Sequence, residues 1–195
     1  AMDERETSTE TSQGRSEQEP SARDRAVDLL ITRDNPQLAV EKGGVTPKEA
    51  LYWLEQQGSY VFHGTPFKIE GPLEPRQAFS HGKPDGPPGV AASKRADVSI
   101  FRSIISSTRD KAVGRNHHSS WSGEGEAITF RSWPDQIQRA HDEHHTGLVY
   151  VFKADDFHDY SGSEVRSETP VEPVYCIPVS VEDLPEGIQE IEQGT

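Results

Sequence analysis

A chain of 195 residues with 33 acidic against 20 basic side chains has a net charge of −13, which argues against nucleic-acid or anionic-membrane partners, since these need clusters of Lys and Arg. A hydrophobic fraction of 32% and a mean hydropathy of −0.76 allow one modest core, so a single decorated domain is expected. Cys176 is the only cysteine, which excludes an internal disulfide and a cysteine-based metal framework.

Cys176 lies in the apolar run Val174–Ile177 and reads as a small core residue. No apolar stretch reaches the length of a spanning helix, and the first residues are acidic and polar rather than a signal sequence. A cytoplasmic protein without membrane contact is therefore expected. Lys94, Arg95, Arg102 and Arg109 could still form a local basic rim.

Residues 1–21 are almost devoid of apolar side chains and read as a disordered tail. Residues 22–58 read as a helical extension. Ser21 is placed to cap a helix carrying Val27, Leu30 and Ile31, which Asn35-Pro36 interrupts. Thr46, Pro47 and Glu49 form a capping box with proline at the first helical position, opening a helix whose apolar face is Ala50, Leu51, Trp53 and Leu54. Gly58 ends it and delivers the chain to Tyr60-Val-Phe62, a buried strand by its aromatic and β-branched content.

That strand stops in His63-Gly64-Thr65-Pro66. A histidine and a bare backbone are thus offered together at a strand end, although His-Gly can equally be a plain turn. A proline-rich loop follows to Pro88, with His81–Gly86 as its tip. Gly89–Ser93 reads as a short strand, and the spacing of Val98, Phe101 and Ile105 predicts a helix capped by Ser93. Ala127–Phe130 is a strand candidate, Trp133-Pro134-Asp135 opens a short helix through Ala140, and Leu148–Phe152 is the strongest strand, expected to be central. Asp155–Gly162 reads as turn, Glu164–Ser167 as an edge strand and Val171–Val181 as a last strand broken by prolines. Residues 186–195 read as a flexible end. Helices first and short strands later suit an α+β domain.

The order of these features resembles the ADP-ribosyltransferase fold, in the diphtheria-toxin and poly(ADP-ribose)-polymerase branch. The resemblance rests on His63-Gly-Thr-Pro66, Leu73-x-Pro-Arg76, Gly89–Ser93 running into a helix with an aromatic, Gly147-x-Val-Tyr-Val151, and Glu164-x-x-Ser-x-x-Pro-Val171. It spans residues 59–185. It implies split antiparallel β-sheets with flanking helices, NAD as substrate, and transfer of ADP-ribose to a macromolecular acceptor, as in a toxin or defence effector.

On that resemblance His63 and Gly64, with Thr65 and Ser93, would bind NAD. Phe101 would line the nicotinamide pocket, and Glu164 would be the catalytic acid, with Glu168 and Glu172 as alternatives. Ala91 stands where the family carries a stacking tyrosine, so the complete His-Tyr-Glu set is not present. Cleaving the nicotinamide–ribose bond develops oxocarbenium-like charge, which is why a carboxylate is needed beside it.

Two readings from other classes remain open: a non-catalytic module of the same fold that binds a nucleotide or protein, and an interaction module using the acidic surface. His141 and His145 could share one helix face, but no third ligand follows at fixed spacing, so no metal site is expected. There is no Gly-x-Ser-x-Gly elbow, P-loop or complete Gly-x-Gly-x-x-Gly. Trp121 and Trp133 read as packing or loop anchors.

Overall fold

The computed structural model describes residues 19–80, 82–115, 117–123 and 128–192. Of the expected N-terminal tail, residues 1–18 lie outside these, as do His81 at the loop tip and Ala127 at the strand candidate.

Local chemistry sets the first three helices. Helix α1 (Ala22–Asp34) starts in a capping box between Ser21 and Asp24. Asn35, at φ 79°, ends it and then caps α2 (Pro36–Glu41) by accepting from the Leu38 amide at 2.9 Å. Helix α3 (Pro47–Gln56) carries the Thr46–Glu49 capping box, reinforced by an ion pair from Arg23 to Glu49 at 2.6 Å. These helices do not form a separate layer. Val27, Ile31, Ala39, Leu51 and Leu54 belong to the same core cluster as Phe62 of the sheet.

Strand β1 (Tyr60–Thr65) leads into the long loop, which holds a small hairpin, β2 (Phe79–Ser80) and β3 (Lys83–Pro84). Then come β4 (Val90–Ser93), α4 (Ala96–Ile104), α5 (Ser107–Ala112), β5 (Ser120–Ser122), β6 (Thr129–Ser132) and α6 (Pro134–Asp142). The remaining strands are β7 (Thr146–Lys153), β8 (His158–Ser161), β9 (Glu164–Ser167), β10 (Tyr175–Ser180) and β11 (Gln189–Glu190). The fold is α+β. Its main sheet has six strands in the order β10-β7-β1-β4-β9-β8, every neighbouring pair antiparallel. A second sheet of three strands, β11-β6-β5, stands beside it.

Alternation along the strands divides the core in two. Phe62, Val149, Val151 and Ile177 face the helices. Val61, Val90, Phe152 and Val165 face the other way, covered by Leu73 and Val171 from the flanking loops. Burying each such side chain contributes about 1.5–3 kcal/mol. Strand β7 lies inside the sheet, and its hydrophobic run accounts for that place. Pro178 is tolerated because β10 is an edge strand.

Three expectations need correction. Glu164–Ser167 is not an edge strand: β8, where turn was expected, pairs outside it, and all four of its residues are exposed. Residues 189–191 of the expected flexible end are built into the second sheet, with β11 parallel to β6 and the Ile191 amide donating to the Ser132 carbonyl at 2.8 Å, while 193–195 lie outside the described residues. Helix α4 is not capped by Ser93, which instead accepts from the Arg95 amide at 3.0 Å. Glu55 at the end of α3 reaches across and accepts from the first amide of α4, Ala96, at 2.7 Å.

Candidate functional site

Helix α4 lies unusually close to the sheet, and two glycines make this possible. A Cβ on Gly64 of β1 would sit 1.8 Å from the Ser99 carbonyl oxygen, and one on Gly147 of β7 would sit 2.4 Å from that of Ser103. Only glycine fits at either place without moving the helix. Gly64 is thus required for helix–sheet packing, a role distinct from the ligand approach expected of it.

Beside this contact β1 and β4 register at a single pair, Phe62 with Ser93. Beyond it the two strands part, and the His63 side chain bridges them, its Nδ1–H donating to the Ala91 carbonyl at 2.7 Å. A carbonyl can only accept, so the proton sits on Nδ1 and Nε2 keeps its lone pair. Burial lowers the His63 pKa, the bond to Ala91 opposes this, and the positive charges of Arg102 and Arg76 lower it further. The ring is therefore a neutral acceptor at physiological pH.

The seam between β1 and β4 opens into a cavity of about 770 Å³, within the roughly 300–1,000 Å³ range of small-molecule sites. Strand β1 contributes His63 and Gly64, and β4 contributes Ala91 and Ser93. Helix α4 contributes Ser99 and Arg102, β5 contributes Trp121, and the β8–β9 turn ends in Glu164. Ser93 pairs with Glu164 across β4 and β9, so Phe62, Ser93 and Glu164 form one cross-strand row.

Four of the residues singled out from the sequence, His63, Gly64, Ser93 and Glu164, meet in this cavity. Thr65 does not. It pairs with Leu148 inside the sheet, and its hydroxyl accepts from the Phe67 amide at 3.2 Å. Phe101 lies in the core rather than on the cavity wall, 1% exposed, with its ring 4.9 Å from that of Phe130. The helical period explains this: Phe101 and Ile105 turn inward, while Val98, Ser99 and Arg102 line the cavity side. Glu168 and Glu172, the alternatives to Glu164, are exposed beyond the end of β9 and do not line the cavity.

The aromatic on the wall is Trp121, with the Arg102 guanidinium stacked 4.4 Å from its ring centroid. Arg102 is open to the cavity and otherwise crowded by protein, which lowers its pKa from the ordinary arginine value, and the charge of Glu164 partly offsets this.

Glu164 is itself held in place. Arg166 Nε donates to its carboxylate at 2.7 Å. Arg166 is 4% exposed, sits over the Tyr160 ring and also binds the carboxylate of Asp85, at 3.2 Å, in the proline-rich loop. That loop is thereby tied to the strand bearing the acid.

Elsewhere, His145 pairs with Glu143 at 2.8 Å, and His141 and His144 are exposed. Among the described residues no group of three or more His, Cys, Asp or Glu is placed to hold a metal ion. Burial raises the pKa of the Cys176 thiol. Among the described residues no helix is long and apolar enough to cross a membrane.

Comparison with protein-family models, with curated proteins and with solved structures returns no match.

Proposed function

We propose that the cavity at the β1–β4 seam binds NAD, in the manner of an ADP-ribosyltransferase-like fold, and that the protein transfers ADP-ribose to a macromolecular acceptor. One observation carries this reading. His63, Gly64, Ser93 and Glu164, singled out from four separate stretches of the chain, line one cavity of suitable size.

In this reading His63 Nε2 accepts from a ribose hydroxyl. The glycosidic bond from ribose C1′ to the nicotinamide nitrogen breaks, and nicotinamide leaves with the bonding pair. The Glu164 carboxylate stabilises the positive charge that develops on the ribose. An acceptor nucleophile then bonds to C1′ and gives up its proton to water. Arg166 holds Glu164 in a fixed rotamer for this step, so the carboxylate need not reorganise.

A second reading, a non-catalytic module binding a nucleotide, is favoured by Ala91 in place of the stacking tyrosine. Nicotinamide release from NAD separates the two. The transferase reading expects release by the wild type and a loss of at least about 100-fold in Glu164→Gln, the scale of removing one group that stabilises transition-state charge. Equal release by both proteins would rule out Glu164 as the acid. Binding without release would leave the non-catalytic module.

A further inference from the structure

The charges around the cavity are not evenly matched. Three cations line it: Lys94, Arg95 and Arg102. Lys94 is paired with Asp159 at 2.6 Å, and Arg95 with Asp97 at 2.7 Å. Glu164, the lining carboxylate, is engaged by Arg166. Among the described residues Arg102 alone of the three cations has no carboxylate at ion-pair distance, in a chain whose net charge is −13. Its one described contact of this kind is the face of Trp121.

Stacking fixes the guanidinium by its face and leaves its N–H groups, which point outward in the plane, available along the edge. That edge matches the oxygens of a phosphate bidentately. The neighbouring wall offers the Ser163 hydroxyl, which accepts from Ser93 Oγ at 3.3 Å, as a further donor to a phosphate oxygen.

We infer that Arg102, held on Trp121, is a phosphate-binding subsite that makes the cavity selective for phosphorylated ligands over uncharged nucleosides. This deepens the proposal that the same cavity takes NAD, and rests on it for the rest of the ligand. The subsite itself asks only for a phosphate or diphosphate, so inorganic diphosphate and ADP-ribose are its probes.

Calorimetric titrations of the wild type with inorganic diphosphate, ADP-ribose, adenosine and NAD test it. Arg102→Gln and Arg102→Lys are the variants, with circular dichroism to establish that each is folded. The inference expects ADP-ribose to bind and adenosine not to. Arg102→Gln should weaken ADP-ribose at least about tenfold, and Arg102→Lys should recover part of that, as a point charge without the planar fork. Affinity should fall as salt rises.

Failure of the subsite and failure of the NAD reading look different. Diphosphate and ADP-ribose binding that depends on Arg102, with no added gain from the nicotinamide end of NAD, keeps the subsite and sinks the NAD reading. NAD binding unchanged in Arg102→Gln overturns the subsite and leaves the NAD reading standing. Absence of binding by either phosphate probe to the folded wild type also overturns it.

Discussion

The two halves of the main sheet are built for different purposes. On one side β10, β7 and β1 carry continuous apolar runs, with Phe62, Val149, Val151 and Ile177 packed beneath helices. On the other side β4, β9 and β8 are short, and their row toward the seam is Ser93 and Glu164 rather than hydrocarbon. One helix serves both halves. Its Phe101 side holds the core, while its Ser99 and Arg102 side forms a wall of the cavity. The polar half keeps its geometry because the apolar half fixes the helix and strand that border it.

This division is open to attack by mutation, starting where the expected effect is largest. Phe101→Ala should destabilise the protein by about 3–5 kcal/mol in urea unfolding, the cost of truncating a fully buried aromatic. A cost below about 1 kcal/mol would mean that Phe101 is not core and that the division is drawn in the wrong place. Gly64→Ala comes next, at about 3 kcal/mol, because the added methyl meets a backbone carbonyl that cannot rotate away. Its thermal midpoint should fall with Phe101→Ala, not with the cavity variants.

Glu55→Ala sharpens the comparison, since it acts on the shared helix from outside both halves. Losing the cap on the Ala96 amide should cost about 1 kcal/mol and should loosen amide exchange at the start of α4. On the polar side, Arg102→Gln, at an exposed position, should change stability by no more than about 0.5 kcal/mol, as surface changes do. A large loss from it would make the cavity wall a structural element and remove its functional reading.

The smallest expected effect is on pH dependence. The folded-state pKa of His63 lies below its ordinary value of 6.5, chiefly through burial. The unfolded chain therefore takes up this proton first on acidification. Stability from the neutral ring is present above about pH 6.5 and is lost as pH falls through the folded pKa. A His63→Ala variant should show a shallower loss of stability just below pH 6.5 than the wild type, measured by urea unfolding across that range. Identical slopes would place the ring in solvent.

How far the sequence reveals this architecture depends on where each signal resides. The capping box of Thr46 and Glu49 is local chemistry, legible without a structure and present as expected. The run Leu148–Phe152 announced a buried strand because it is apolar on both faces. Strands β8 and β11 carried no such signal: His158–Ser161 and Gln189–Glu190 are exposed and polar, and only their partners make them strands.

The site divides in the same way. His63, Ser93 and Glu164 could be picked out one by one, but their meeting depends on the parting of β1 from β4, a tertiary event. Phe101 is instructive. Its spacing with Val98 and Ile105 already indicated the inward side of a helix, whereas the resemblance placed it in the ligand pocket. Trp121 lay in a polar stretch without periodicity, so its place on the wall had no pattern to betray it.

Calorimetric titration of NAD into the wild type and into His63→Ala tests the central claim most directly. The account predicts saturable binding at one site per chain in the wild type, weakened at least about tenfold in the variant while its circular dichroism spectrum is unchanged. No binding to the folded wild type, or equal binding by both proteins, would contradict it.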